Sequence, residues 1–228
     1  MGFYQFGVPK DLVERLKKVG NIDVFVETGT FTGGTSRWAA SLFDQVYTIE
    51  INPELREKAM KLSEAFTNIH FLLGNSRDVL PEYLPKFGNN CLFWLDGHYS
   101  GGLTGGEDEQ CPIMEELQSI VGIENAYILI DDARCFLGRP PQPLKSDQWP
   151  RIDEIFSFLK ENFPTHRFSI HDDVIVCVPE AAWEAVEDDW VEKYWDRFPA
   201  NPQKMSSTGN FLNKLSLFVK YRILQNEN

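Results

Sequence analysis

Asp23-Val-Phe-Val-Glu27-Thr-Gly29-Thr-Phe-Thr-Gly33-Gly34-Thr35-Ser36, followed after a helical run by Val46-Tyr-Thr-Ile-Glu50-Ile-Asn52, decides how this chain is read. Val24, Phe25 and Val26 form a short apolar run that ends at an acid and a glycine, as a buried strand does. The glycines allow a sharp turn and close approach of a ligand to the backbone. Thr35 and Ser36 are expected to cap the following helix. Val46–Ile49 reads as a second strand, ending in Glu50. Strand, glycine turn, helix, strand and acid make the layout of a nucleotide-binding crevice at the carboxyl ends of parallel strands. The acid after the second strand is placed to hold a ribose hydroxyl pair.

The glycine spacing separates cofactor classes. A dinucleotide site would carry G-x-G-x-x-G. Here the order is Glu27-x-Gly29-x-x-x-Gly33-Gly34, which argues against a nicotinamide-dependent oxidoreductase. This stretch resembles the first motif of class I S-adenosylmethionine-dependent methyltransferases, E/D-x-G-x-x-x-G. In that family the loop runs under the methionine end of the cofactor and the second acid takes the ribose, positions matched by Glu27 and Glu50. A glycine-rich turn without a ligand is the plainer alternative, and it leaves the two acids at matching offsets unexplained.

The chain of 228 residues is 43% hydrophobic and 25% charged, an ordinary globular composition. Its formal net charge of −12 disfavours a nucleic-acid substrate, because phosphate binding wants a basic surface. Arg15-Leu-Lys17-Lys18 is the one small basic cluster and reads as a solvated helix face. With no apolar run of membrane-spanning length and no signal-peptide pattern, a soluble cytoplasmic protein without membrane association is expected. Cys91, Cys111, Cys135 and Cys177 form no C-x-x-C pair; Cys91 and Cys177 fall in predicted strands and read as core residues.

In chain order, Pro9–Lys18 is predicted as a helix with Gly20 beyond its end. Asn52-Pro53 opens a helix to about Phe66. Ile69–Leu73 is a third strand, followed by the polar loop Gly74-Asn75-Ser76-Arg77-Asp78. Cys91–Leu95 is a fourth strand, ending in Asp96-Gly97-His98. The glycine-rich stretch Tyr99–Gln110 then suits a lid or substrate loop. Pro112–Val121 reads as a helix, Ala126–Ile130 as a fifth strand ending in Asp131-Asp132, and residues 138–150 as an extended proline-rich segment near the site. Arg151–Phe163 is a helix; Arg167–His171 and Val174–Val178 form a hairpin about Asp172-Asp173. Residues 181–198 are acidic and aromatic with helical spacing of Trp183, Val186, Trp190 and Tyr194. They suit packing on the domain, the interface of a homodimer, or a substrate cover. Phe211–Leu224 reads as a terminal helix.

The expected fold is α/β: the Rossmann-like class I methyltransferase fold, a seven-stranded mostly parallel sheet with an antiparallel C-terminal hairpin. The expected organisation is a single domain over 1–228, with a core of about 20–179 and a helical extension over 180–228.

Asp96 ends strand four and Asp131-Asp132 end strand five. Neighbouring strands lie roughly 5 Å apart, so the three carboxylates would converge and repel unless a cation neutralises them. An all-oxygen set suits Mg²⁺ or another hard divalent ion. Alternatively, Asp131 and Asp132 cap loop amides and only Asp96 faces the ligand. Glu27-Thr-Gly29 with Gly33-Gly34, Leu95-Asp96-Gly97 and Ile130-Asp131-Asp132 together resemble the macrocin-type sugar O-methyltransferases, a metal-dependent branch of class I. That resemblance implies Mg²⁺ at Asp96, Asp131 and Asp132, gripping two vicinal hydroxyls of the acceptor. The branch carries an acid two residues after the first ligand, where this chain has His98, and it lacks the long glycine-rich and proline-rich segments. The wording from Trp94-Leu-Asp96-Gly-His98 to Cys111-Pro112 resembles uncharacterised bacterial methyltransferase-like proteins and implies no substrate. The resemblance covers about residues 23–178.

The cofactor-binding set it implies is Glu27, Thr28, Gly29, Thr30, Phe31, Gly33, Gly34, Thr35, Ser36, Glu50, Ile51, Asn75, Ser76 and Asp96. Asn75 and Ser76 would sit near the adenine; a plain polar turn is the competing reading there. His98 is the expected base, with Asp96 beside it as the second catalytic residue; a loop hydrogen bond or a fourth metal ligand is the competing role for His98. His70, His166 and His171 read as structural. The expected activity is O-methylation of a small molecule or saccharide hydroxyl. Rivals are metal-independent methylation of a phenolic or amine metabolite, and a binding module that keeps the cofactor but has lost methyl transfer.

Overall fold

The computed structural model describes residues 7–99, 101, 106–140, 142 and 144–195. The predicted helix over Phe211–Leu224 lies outside the described residues. The chain divides into two compact units, Met1–Ala185 and Val186–Asn228.

The first unit holds one seven-stranded sheet. Its strands are β1 (Val24–Thr28), β2 (Gln45–Glu50), β3 (Ile69–Leu73), β4 (Asn90–Leu95), β5 (Asn125–Ile130), β6 (His166–His171) and β7 (Val174–Pro179). Their spatial order is β3-β2-β1-β4-β5-β7-β6. The first five pair in parallel, β7 runs antiparallel to β5, and β6 antiparallel to β7. This is the expected Rossmann-like sheet with its terminal hairpin. The strands read as continuous apolar runs because both faces are covered: Phe25, Val26, Phe93, Trp94, Ile128, Leu129, Val176 and Cys177 are all fully buried. Cys91 is buried with them, as its strand position implied.

Strand order reverses between β1 and β4, opening a crevice at their carboxyl ends. Register aligns those ends. Thr28 pairs with Ile49 on one side and Leu95 on the other, and Leu95 pairs with Ile130. Gly29, Glu50, Asp96 and Asp131 therefore leave the sheet at one level.

The helices are α1 (Lys10–Gly20), α2 (Gly34–Ala40), α3 (Pro53–Leu62), α4 (Ser76–Phe87), α5 (Ile113–Ile120), α6 (Ile152–Asn162) and α7 (Trp183–Trp190). Several boundaries differ from expectation. α1 takes in Gly20 and stops at Asn21, whose left-handed conformation (φ 49°) closes the helix in place of a glycine. Thr35 and Ser36 lie inside α2 rather than capping it; Gly33 holds the cap position. α3 opens as expected, with Asn52 Oδ1 accepting from Glu54 N at 2.9 Å, but ends at Leu62 instead of Phe66. The Ser63 hydroxyl bends back onto the Ala59 carbonyl there. α4, unassigned from sequence, contains Pro81 and Pro85 and still buries Leu80 and Phe87 on its inner face. In the last stretch, α7 gives way to a π-helical turn over Val191–Trp195.

Candidate functional site

A cavity of about 310 Å³ opens at the carboxyl ends of β1, β2 and β4. That volume lies in the range of small-molecule sites. From the β1–β2 side it is bordered by Gly29, Phe31, Glu50 and Ile51. Asn75 and Ser76 border it at the start of α4, and Asp96, Gly97 and His98 after β4.

Gly29 turns the chain at φ 84°, and a Cβ there would lie 2.2 Å from the Asp96 carbonyl oxygen, so only glycine fits between the two loops. Phe31 is left-handed (φ 49°), a costly conformation for an aromatic residue. Its amide donates to Glu50 Oε2 at 2.8 Å, while Asn52 N donates to Glu50 Oε1 at 2.9 Å. Glu50 is thus held rigid at the cavity wall, with lone pairs left on both oxygens for a ligand diol.

Glu27, Thr28, Thr30, Gly33, Gly34, Thr35 and Ser36 do not border the cavity. The Glu27 carboxylate faces inward, accepting from Ser36 Oγ and from Thr48 Oγ1, the latter at 2.7 Å. Burial pushes it up to about 7, against the opposing effect of those hydroxyls. Its hydrogen bonds join β1, β2 and α2, so the acid of the motif braces the loop from beneath. Of the expected cofactor set, Gly29, Phe31, Glu50, Ile51, Asn75, Ser76 and Asp96 meet at the cavity.

The carboxylates after β4 and β5 are arranged around His98. Its side chain is 6% exposed, with Nε2 2.9 Å from Asp132 Oδ2 and Nδ1 3.8 Å from Asp96 Oδ1. An ionised Asp132 can only accept, so Nε2 carries the proton in that bond and Nδ1 is the nitrogen facing Asp96. The Trp149 ring, from the proline-rich segment, packs edge-to-face on the imidazole at 5.3 Å. Burial pulls the His98 pKa down, but the Asp132 hydrogen bond and the charges of Asp96, Asp132 and Asp131 outweigh it and raise it above its ordinary value. Asp96 is pushed well up, first by burial, with Asp131 and Asp132 adding to it. Asp131, bent back to accept its neighbour's amide at 2.8 Å, is raised by burial and by Asp132 to about 6. Asp132 goes the other way: the His98 and Arg134 contacts overcome its burial and lower it.

Arg134 was missed in the sequence. Its Nη1 lies 2.6 Å from Asp132 Oδ1 and also pairs with Asp173 Oδ2, while its amide donates to Asp173 Oδ1 at 3.0 Å. A chain of ionisable side chains therefore runs from Asp96 through His98, Asp132 and Arg134 to Asp173 in the β6–β7 turn. Arg134 follows β5 closely and could have been noticed; its link to Asp173 spans a distant hairpin and carries no sequence signal.

This arrangement corrects the expected metal set. Among the described residues, no three His, Cys, Asp or Glu side chains are grouped to hold a metal ion. Both Asp132 oxygens are engaged, one by His98 and one by Arg134, and Asp131 turns to a backbone amide. The donor set does not fit a divalent ion as arranged, because the His98 N–H and the Arg134 guanidinium already occupy the Asp132 oxygens.

Glu116 was also missed. It lies on the buried face of α5 at 1% exposure and is pushed by burial up to about 7, opposed by the hydroxyls of Ser76 and Thr28. Its Oε1 has no hydrogen-bond partner among the described residues and stands 3.0 Å from where a Gly97 Cβ would lie. The signal was there: Ile113, Glu116, Leu117 and Ile120 share one helical face, and an acid among three apolar residues points to a buried role. Away from the cavity, His70 pairs with Gln45 at 2.7 Å and His166 with the Ala126 carbonyl at 2.9 Å, as befits structural histidines. No helix among the described residues is long and apolar enough to cross a membrane.

No protein-family profile matches this chain, and no curated protein matches it. Solved structures do. A candidate caffeoyl-CoA O-methyltransferase from Staphylococcus aureus is 17% identical at a TM-score of 0.55, covering 78% of this chain and 86% of that one. A candidate methyltransferase from Streptococcus mutans in complex with SAH is 11% identical at a TM-score of 0.49, covering 76% and 97%. A candidate O-methyltransferase from Klebsiella pneumoniae is 15% identical at 0.49, covering 77% and 82%. On the first of these and on its own strand order, the chain has the Rossmann-like fold of the methyltransferases.

Proposed function

We propose that this protein is an S-adenosylmethionine-dependent methyltransferase acting on a hydroxyl of a small molecule or saccharide. The observation that carries the reading is the meeting, on one cavity, of the rigidly held Glu50 with His98, whose Nε2 is tied to Asp132. The residues fit the cofactor. Gly29 leaves a cradle that a side chain would fill, and Glu50, on the cavity wall with both oxygens held by backbone amides, would accept from a ribose diol. The candidate O-methyltransferase with the similar fold agrees with this reaction class.

When bound, S-adenosylmethionine supplies an electrophilic methyl group on a sulfonium. Gly29 and Asp96 hold the cavity wall beside it, and Trp149 keeps water from one side of His98. In that chemistry the sulfur–methyl bond would break as the oxygen–methyl bond forms, with S-adenosylhomocysteine as the leaving group, and His98 Nδ1 would accept the acceptor's hydroxyl proton. Asp132 fixes the tautomer that leaves Nδ1 able to do so, and the imidazolium that forms is stabilised by the Asp132 carboxylate. Arg134 and Asp173 hold Asp132 in place. No step passes through a metal, and a surface of net charge −12 argues against a nucleic-acid acceptor.

Calorimetric titration with S-adenosylhomocysteine, with and without Mg²⁺ or EDTA, tests the reading. We expect a Kd on the order of micromolar, about −8 kcal/mol, unchanged by either addition. Absence of binding would reject the cofactor class. Turnover of S-adenosylmethionine with a library of diols and phenols then tests methyl transfer; binding without turnover across the library would favour the non-catalytic module.

A further inference from the structure

Two segments that border the cavity are joined to each other by a side chain to which the motifs assign no role. Gly106, Glu109 and Pro112, in the chain between β4 and α5, border the cavity together with Asn75 and Ser76. Glu109 Oε2 accepts from Asn75 Nδ2 at 3.2 Å and lies 2.6 Å from Arg77 Nη1. Asn75 is held for this contact, since its Oδ1 accepts the Arg77 amide and caps α4.

The base from which Glu109 reaches is fixed by its neighbour. Gln110 is buried, and its carbonyl accepts from Tyr99 N at 2.7 Å. Its amide donates to Gln148 Oε1 at 3.0 Å, and its side-chain oxygen accepts from Lys145 N at 2.7 Å. Gln148 Nε2 in turn donates to the Asp108 carbonyl at 2.9 Å. The strap that carries Glu109 is therefore clamped to the proline-rich segment, whereas the Glu109–Arg77 pair itself is half exposed. A firm base and a weak tip make a closure that opens at the tip, because a solvent-exposed ion pair is worth little and salt screens it.

We propose that Glu109 is a cofactor-retaining residue. Its carboxylate bridges to Asn75 and Arg77 at the edge of the cavity, and the bridge must break for the cofactor to enter or leave. The inference rests on the S-adenosylmethionine reading of the cavity. It differs from a simple ligand contact in its kinetic signature. A bridge slows passage in both directions, and a contact slows only departure.

Stopped-flow association and dissociation of S-adenosylhomocysteine separate the two. This ligand has no net charge at neutral pH, so long-range steering contributes little to its salt dependence. In Glu109→Gln and Arg77→Met both rate constants should rise about three- to five-fold, with Kd held within about two-fold. The wild-type rates should rise with ionic strength and those of the variants should not. The double variant Arg77→Glu/Glu109→Arg restores an ion pair and should return both rates towards wild type, which separates the bridge from a loss of folding. A faster dissociation with unchanged association would make Glu109 a direct contact and overturn the bridge, as would unchanged rates in both single variants. Failure of the wild type to bind S-adenosylhomocysteine at all would instead remove the reading on which the bridge rests.

Discussion

The β1–β2 side of the cavity and the β4–β5 side are built by different means. On the first, backbone does the positioning: Gly29 is wedged against the Asp96 carbonyl, and two consecutive-loop amides, of Phe31 and Asn52, clamp Glu50. On the second, side chains from three separate loops hold one another, in the order Asp96, His98, Asp132, Arg134 and Asp173. Backbone positioning resists chemical substitution except where a Cβ or an amide partner is changed. A side-chain chain depends on every member, since each side chain leans on the next. The first side should therefore report damage as lost cofactor affinity, and the second as lost methyl transfer with affinity intact.

The sharpest break of that contrast is His98→Gln. With an acceptor in hand, kcat should fall about 10²- to 10⁴-fold while the S-adenosylhomocysteine Kd changes little. The pH profile carries the sign. A base works deprotonated, so wild-type kcat/KM should rise with pH through the raised pKa of His98. Asp132→Asn removes the hydrogen-bonded anion that raises it and should move the rise to lower pH. A profile that stays in place in this variant would detach His98 from proton transfer.

On the other side, Gly29→Ala sets a Cβ 2.2 Å from a backbone oxygen at a left-handed φ. We expect about 3 kcal/mol of lost stability in urea denaturation, together with lost cofactor binding. Glu50→Ala leaves the amides of Phe31 and Asn52 without their carboxylate and removes the proposed diol partner. Its expected cost is about 2 kcal/mol in binding, roughly a thirty-fold weaker Kd by calorimetry.

Glu116 lies beneath both sides, and its effect is the smallest. Its carboxyl is raised from 4.5 to about 7 in the folded protein. The folded state thus holds that proton when the unfolded chain has lost it, and stability falls as pH rises from about 4.5 to about 7. Glu27 adds a similar fall in the same window. Glu116→Gln should make the fall shallower without abolishing it, measured as urea midpoints across that range. An unchanged slope would place the charge of Glu116 in solvent.

Much of the first side was legible because its determinants are contiguous. Glu27, Gly29 and Glu50 fall within one strand–turn–helix–strand unit, and local spacing fixes where such residues stand relative to the sheet edge. Even there, spacing did not say which way the Glu27 side chain turns; the hydroxyls of Ser36 and Thr48 decide that it faces inward. The ends of β4 and β5 placed Asp96, Asp131 and Asp132 together correctly, but proximity of three acids was read as a metal site. What overrides it is Arg134, fixed by Asp173 from a hairpin, together with His98 taking the other oxygen of Asp132. The proline-rich segment was expected near the site; that it buries Trp149 on His98 and clamps Gln110 became visible only in three dimensions.

By itself the sequence determined the parallel order of the strands, the crevice at their ends and the residues that leave the sheet there, because apolar runs, glycines and terminal acids act over a few neighbours. The tertiary structure decided which of these polar groups meet. Partners such as Arg134 and Asp173, or Glu109 and Asn75, lie more than thirty residues apart in the chain. Which carboxylate holds a proton, which faces a cation and which borders the cavity follows from burial and distance, and neither is written in local spacing.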